Sequence, residues 1–263
     1  MGPLLAIASN TYREAIRNKV LYSIVLFALL IILVGNFLAD ISLHNDKRVL
    51  FDVGIGLLST FGLILSVFTG TSLIYKEIDR KTIYLILTKP VGRAQFLFGK
   101  MLGLVGSVYL VLALMFVLLV AQSAIMGSGF HPNLFKAVLL IFFEVIIIIS
   151  ITTLFSSFST PFITGMLTFG IIVIGRLLPD LKQIIIVKYQ ADSMRELADR
   201  LLQVFPQLYL FVPNGHDFNG QYVSITAEFV TWGYIGWTAL YAIMYSAIIL
   251  LIAAMVFRRR DLT

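Results

Sequence analysis

The sequence predicts an all-α integral membrane protein with six transmembrane helices, on three observations. Apolar residues fill 59% of the 263 positions and the mean hydropathy is +0.94, well above the roughly 45–50% apolar content of soluble domains. They gather into runs about as long as the ~20 residues that a hydrocarbon core requires. Basic residues stand beside those runs, so the net charge of +6 reads as membrane topology and not as an affinity for nucleic acid.

Residues 3–19 come first. Leu4, Leu5, Ile7, Ala8, Tyr12, Ala15 and Ile16 share one helical face, with Arg13, Glu14, Arg17 and Lys19 elsewhere. This spacing predicts an amphipathic helix lying on the membrane surface, its basic residues towards anionic headgroups. The predicted spans then cover residues 20–39, 53–75, 98–126, 135–155, 162–178 and 233–257. The first is too long for a signal-peptide core and lacks a clear small-residue cleavage site, so it reads as a retained span. Residues 156–161 form a tight hairpin between spans four and five.

Orientation follows from the basic residues. Arg13, Arg17 and Lys19 precede the first span, Lys76, Arg80, Lys81, Lys89, Arg93 and Lys100 lie between the second and third, and Arg258, Arg259 and Arg260 follow the last. The other side carries Lys47 and Arg48 in the loop 40–52, Lys136, and Lys182, Lys188, Arg195 and Arg200 in the long stretch 179–231, whose charges weigh less because long loops cross largely regardless of charge. Both termini are therefore expected in the cytoplasm. The stretch 179–231 is a small extracytoplasmic, helical insertion. Ser193 and Glu196 suit a capping box, Met194, Leu197, Leu201 and Phe205 repeat at helical spacing, and Glu196 precedes Arg200 by one turn. Pro206 ends that helix, and Pro213, Asn214 and Gly215 mark a turn.

The stretch 75–100, YKEIDRKTIYLILTKPVGRAQFLFGK, is where charge and apolar pattern meet. A polar first turn leads into five apolar residues from Ile83 to Leu87, and Pro90 stops the helix. A short amphipathic helix at about 77–87 can lie at the interface and dock a soluble partner, or the stretch can be a basic loop that sets topology. It resembles the cytoplasmic loop between the second and third spans of ABC-2 type transporter permeases. The residues carrying the resemblance are Glu77, Thr82, Leu85, Leu87, Pro90, Arg93, Gly99 and Lys100, while Lys81 stands where that family more often has Gly. The resemblance implies that residues 76–97 hold a coupling helix fitting a groove on a separate ATPase, with Glu77, Arg80, Lys81, Thr82, Leu85, Leu87, Pro90 and Arg93 as docking residues. It also implies that residues 1–19 touch that ATPase, and that residues 1–263 are one ABC-2 type transmembrane domain. The single six-span form is similar to permeases of the copper-enzyme maturation and gliding-associated types.

Several side chains stand out within the spans. Ser59, Gly62, Ser66 and Gly70 make a small-residue face on the second, and Gly99, Gly103 and Ser107 on the third. Such faces let helices approach closely in lipid, within one subunit or between two. Glu144 is the acidic residue deep in the fourth span, where a charge costs roughly 2.5–3.5 kcal/mol. Lys136 and Arg176 are placed towards the outer ends of their helices, so Glu144 is expected to be protonated, bonded to a Ser or Thr hydroxyl, or wetted by a cavity. It is a candidate substrate-path residue with Tyr241 and Tyr245, whose plainer reading is packing. Trp232, Tyr234 and Trp237 form an aromatic belt. His44, His131 and His216 are isolated loop residues without metal-ligand spacing.

The chain has no cysteine, which excludes disulfides, thiolate metal sites and a cysteine nucleophile. It also lacks the Gly-rich phosphate loop of an ATPase. No cofactor is expected in the chain itself; ATP and Mg belong to the partner ATPase. The expected function is the permease subunit of an ABC transporter in the bacterial cytoplasmic membrane, exporting an unidentified substrate. Its expected partners are the ATPase subunit, a second permease copy or a paralogue, and membrane lipid. Two alternatives stand beside it. One is a non-transporting mechanotransmission or regulatory subunit. The other is a proton-coupled secondary transporter using Glu144, which would leave the stretch 75–100 unexplained and would carry internal repeats that are not visible here.

Overall fold

Pro132 and Pro161 each open a helix, at the position where a missing amide is no loss, and Gly92 and Gly127 bracket another. The computed structural model describes residues 2–17, 24, 26–31, 33, 37, 46–71, 92–127, 131–181, 184, 196, 200, 204–212, 217–218, 221–222 and 229–259. Its helices are α1 (Pro3–Arg17), α2 (Asp46–Thr71), α3 (Arg93–Ile125), α4 (Pro132–Ser156), α5 (Pro161–Arg176) and α6 (Trp232–Arg259). A 3-10 turn spans Leu208–Phe211. Strands β1 (Asp217–Phe218) and β2 (Gln221–Tyr222) pair antiparallel, with Asp217 opposite Tyr222. This small β pairing is an addition to the helical insertion expected at 179–231.

Among the described residues, four helices are long and apolar enough to cross a membrane, and they match the second, third, fourth and sixth predicted spans. The first predicted span lies largely outside the described residues. Residues 24, 26–31, 33 and 37 in it are helical, and Phe27, fully buried, meets Phe61 of α2 edge-on at 5.7 Å. Two boundaries move. The loop expected at 40–52 is helical from Asp46, since no Pro or Gly interrupts the approach to Val53 and Arg48 reaches Asp52 one turn on at 3.6 Å. Helix α3 begins at Arg93, inside the expected loop 76–97, with the Gly92 amide donating to Gln95 Oε1 at 3.4 Å. It ends at Ile125, and Gly127 two residues on has a φ of 67°, the left-handed conformation that closes helices.

Helix α4 is the most buried of the long helices and packs against α2, α3, α5, α6 and the 3-10 turn. Its hydroxyls turn back on its own carbonyls, Thr152 donating to Ile148 and Thr153 to Ile149, both at 2.7 Å. Helices remain intact in lipid only if such polar groups are satisfied internally. The hairpin expected at 156–161 forms as expected, with the Ser157 amide donating to the Thr153 carbonyl and Thr160 preceding α5.

The fifth predicted span, 162–178, is observed as α5 with a break near its end. Helix α5 has 16 residues, about 24 Å at 1.5 Å per residue, against a core of about 30 Å. Pro179 has no amide to give the Gly175 carbonyl, so the helix breaks after Arg176 and resumes as one turn at 178–181, where the Leu181 amide donates to Leu177. The space beyond is filled by residues 204–212. A methyl placed on Gly175 would lie 2.6 Å from the Pro206 carbonyl oxygen, so only glycine lets this segment close on α5.

Candidate functional site

Helices α2, α4 and α5 meet around a buried ion pair. Glu144 sits at the midpoint of α4 with its side chain 1% exposed. Arg176, the last residue of α5, reaches it with a two-pronged contact: Nε donates to Oε1 and Nη2 to Oε2, each at 2.9 Å. The same Nη2 also donates to Ser59 Oγ of α2 at 2.6 Å. Paired, fork-like geometry of this kind is the strongest form of carboxylate recognition. The α5 C-terminus, where backbone carbonyls carry partial negative charge, is also a favourable place for the cation.

This corrects the expectation that no basic residue shares Glu144's depth. Across the hairpin 156–161 the two helices run back antiparallel, with Arg176 15 residues beyond Pro161 and Glu144 12 before Ser156, about 22 and 18 Å at 1.5 Å per residue. The long Arg176 side chain spans that difference of about one turn. The small-residue face of α2 makes the third member possible. A methyl at Gly70 would lie 2.7 Å from Thr152 Cγ2, and one at Gly62 would lie 3.2 Å from Leu112 Cδ2. That close packing draws Ser59 to the guanidinium. The face therefore serves packing inside the subunit.

A second polar group joins residues 204–212 to α6. Tyr241 Oη accepts from the Gln207 amide at 2.9 Å, Tyr234 Oη donates to the Leu210 carbonyl at 2.6 Å, and Tyr209 Oη donates to Gln207 Oε1 at 3.3 Å. Tyr241 and Tyr245 stack with ring centroids 5.8 Å apart. No hydrogen bond or ring contact joins Glu144 to either tyrosine among the described residues, so the three candidate path residues form two separate groups. At the start of α6, Lys136 donates to the Val230 carbonyl at 3.0 Å and lies 5.5 Å from the Trp232 ring centroid.

Most of the expected docking residues, Glu77, Arg80, Lys81, Thr82, Leu85, Leu87 and Pro90, lie outside the described residues. Arg93 is described, and its Nη1 donates to the Arg258 carbonyl at 3.0 Å, linking the start of α3 to the end of α6. Phe96 and Phe257 stack beside that link at 6.4 Å. Helix α1 lies against the same part of α3. A methyl on Gly103 would lie 2.5 Å from the Ala8 carbonyl oxygen, and one on Gly99 would lie 3.0 Å from that of Leu4. The third-span glycine face is thus the seat of α1.

The chain matches the family model described as ABC-2 family transporter protein over residues 5–262. It belongs to the ABC-2 transporter family. A comparison with curated proteins found no match. As an ABC-2 protein the chain is a membrane component of a transporter and not its catalytic subunit. The match runs through α1 and every span, so the α1–α3 seat and the Glu144 pair both lie within the family's shared region. Of the side chains at the Glu144 site, sequence reasoning found the acid and missed Arg176 and Ser59. A signal was present in part: counting from the hairpin 156–161 puts Arg176 and Glu144 within about one turn of each other on adjacent helices.

Proposed function

We propose that this ABC-2 protein is the permease subunit of an ABC transporter, exporting its substrate with energy from ATP hydrolysed on a separate subunit. The family match along the chain carries this reading. The ATPase docks on the coupling loop 76–97 and on α1, and ATP and Mg stay with that partner. A second permease copy or a paralogue completes the membrane domain, which sits among lipids of the bacterial cytoplasmic membrane with both termini cytoplasmic. The contacts at this end of the bundle support such coupling. A push on the loop passes directly into the first turn of α3, which carries α1 on its glycine face and is linked to α6 through Arg93 and Phe96. Such a group moves as a rigid body. Glu144, Tyr241 and Tyr245 are the proposed substrate-path residues; Glu144 lies inside the bundle beside the break in α5, and the tyrosines line the segment that fills the space beyond it.

The test is co-purification from native membranes followed by an ATPase assay. The chain alone is expected to turn over no ATP, and to bring down a soluble ATPase whose activity it alters. ATP hydrolysis by the purified chain, or purification with no ATPase attached, would overturn the reading.

A further inference from the structure

The Arg176 guanidinium has five N–H groups, and the structure accounts for three of them. Nε and Nη2 are spent on Glu144 and Ser59. The two N–H groups of Nη1 have no hydrogen-bond partner among the described residues. Nor is this edge sealed in: the Arg176 side chain is 26% exposed, against 1% for Glu144, and Nη1 is not among the buried unpartnered atoms. An open pair of donors at the depth of the α4 midpoint is costly in hydrocarbon unless an acceptor meets it.

The surface beside it is apolar. Phe169, Val173 and Leu177 recur every fourth residue along α5 and its following turn, and are 63%, 39% and 47% exposed. Arg176 borders that stripe, flanked by Leu177 and lying less than one turn from Val173. A forked donor beside an exposed apolar stripe is complementary to an amphiphile whose headgroup carries a phosphate or carboxylate oxyanion. Arginine suits this role because its donors match such groups in pairs.

We propose that the open edge of Arg176 binds the oxyanion headgroup of an amphiphile whose acyl chain lies along Phe169, Val173 and Leu177. The site is distinct from the ATPase-docking surface and does not depend on the permease reading. Glu144 and Ser59 hold the guanidinium in plane, and the break at Pro179 exposes its outer edge.

The test uses the purified full chain, with phosphatidylglycerol and a diacylglycerol of the same acyl chains as probes. Native mass spectrometry should find phosphatidylglycerol retained about tenfold better or more, the range expected for a hydrogen bond to a charged group. The double variant Glu144→Gln/Arg176→Gln, which keeps a hydrogen-bonding pair but removes the fork, should lose the difference. A second measurement needs no variant. Phenylglyoxal labelling of Arg176, located by peptide mapping, should be blocked by phosphatidylglycerol and not by diacylglycerol. Millimolar inorganic phosphate separates the sources: protection by phosphate alone means a free anion suffices, and protection only by the lipid means the headgroup and chains bind together. Equal retention of both lipids, or labelling of Arg176 that neither lipid nor phosphate reduces, overturns the proposal.

Discussion

Removing Arg176 and removing Glu144 should have unequal consequences, because the two partners differ in their access to water. Arg176→Gln leaves a carboxylate with no cation in a fully buried setting, a loss of about 3–5 kcal/mol for broken buried pairs. Glu144→Gln leaves a guanidinium that retains Ser59 and an open edge, so a smaller loss of about 1–3 kcal/mol is expected. The double variant should be more stable than Arg176→Gln alone, with a coupling of about 1 kcal/mol or more. Melting curves of the four proteins in one detergent decide this. Strictly additive losses would mean that the pair contributes nothing. The pair also sets the sign: a lone Glu144 would have been relieved by Gln, whereas a paired one is not. Glu144 was legible as a singular residue, but its partner was not named by depth alone, since which way the Arg176 side chain turns depends on how α5 faces α4 and α2.

Elements behave according to what their glycines touch. Gly103 faces the α1 backbone: a methyl placed there would have the Ala8 carbonyl oxygen, Thr11 Cβ and the Tyr12 amide nitrogen all within 3.1 Å, whereas one on Gly56 of α2 would meet nothing within 4 Å. Gly56→Ala should therefore stabilise by about 0.5–1 kcal/mol through helix propensity alone. Gly103→Ala should destabilise by about 1–3 kcal/mol through overpacking, and should speed tryptic cleavage after Arg13 as α1 lifts. Stabilisation by both substitutions would show that α1 is not seated there. On the coupling loop, Arg80→Glu with Lys81→Glu should weaken ATPase binding most at low salt, as rim charges act through screened attraction. A pull-down that is unchanged across salt concentrations would move the docking site elsewhere. The amphipathic pattern of residues 3–17 was enough to find α1, but its seat on α3 was not legible, because a glycine face does not name its partner.

For the whole molecule, orientation is the quantity on which the coupling assignment stands. Cysteines placed at His44, His131 and Gly215 should label from outside intact cells, and those at Lys89 and Thr263 only after permeabilisation. The native chain has no cysteine, so the background is clean. Labelling of the Lys89 position from outside would invert the protein and remove the docking role of residues 76–97. Four helices long enough to cross the membrane correspond to strong apolar runs; α4 and α6 match the predicted ends closely, while α2 and α3 begin seven and five residues early. The stretch 40–52 is harder to divide between loop and helix, because charged residues at a span's edge, such as Arg48 and Asp52, satisfy each other along a helix as readily as they sit in a loop.

The sequence by itself determined the membrane class, the four long spans, the α4–α5 hairpin, the helix α1 and the family. Each of these follows from local information: apolar run length, helical period, prolines at helix starts and the order of residues within one stretch. Tertiary structure alone decided that residues 204–212 close on Gly175 near the end of α5, and that Arg176 meets Glu144 and Ser59. Those facts depend on contacts between residues 32 and 117 positions apart. No local pattern encodes them, since they arise only when three helices are packed at a particular depth and the burial of one charge selects its partner.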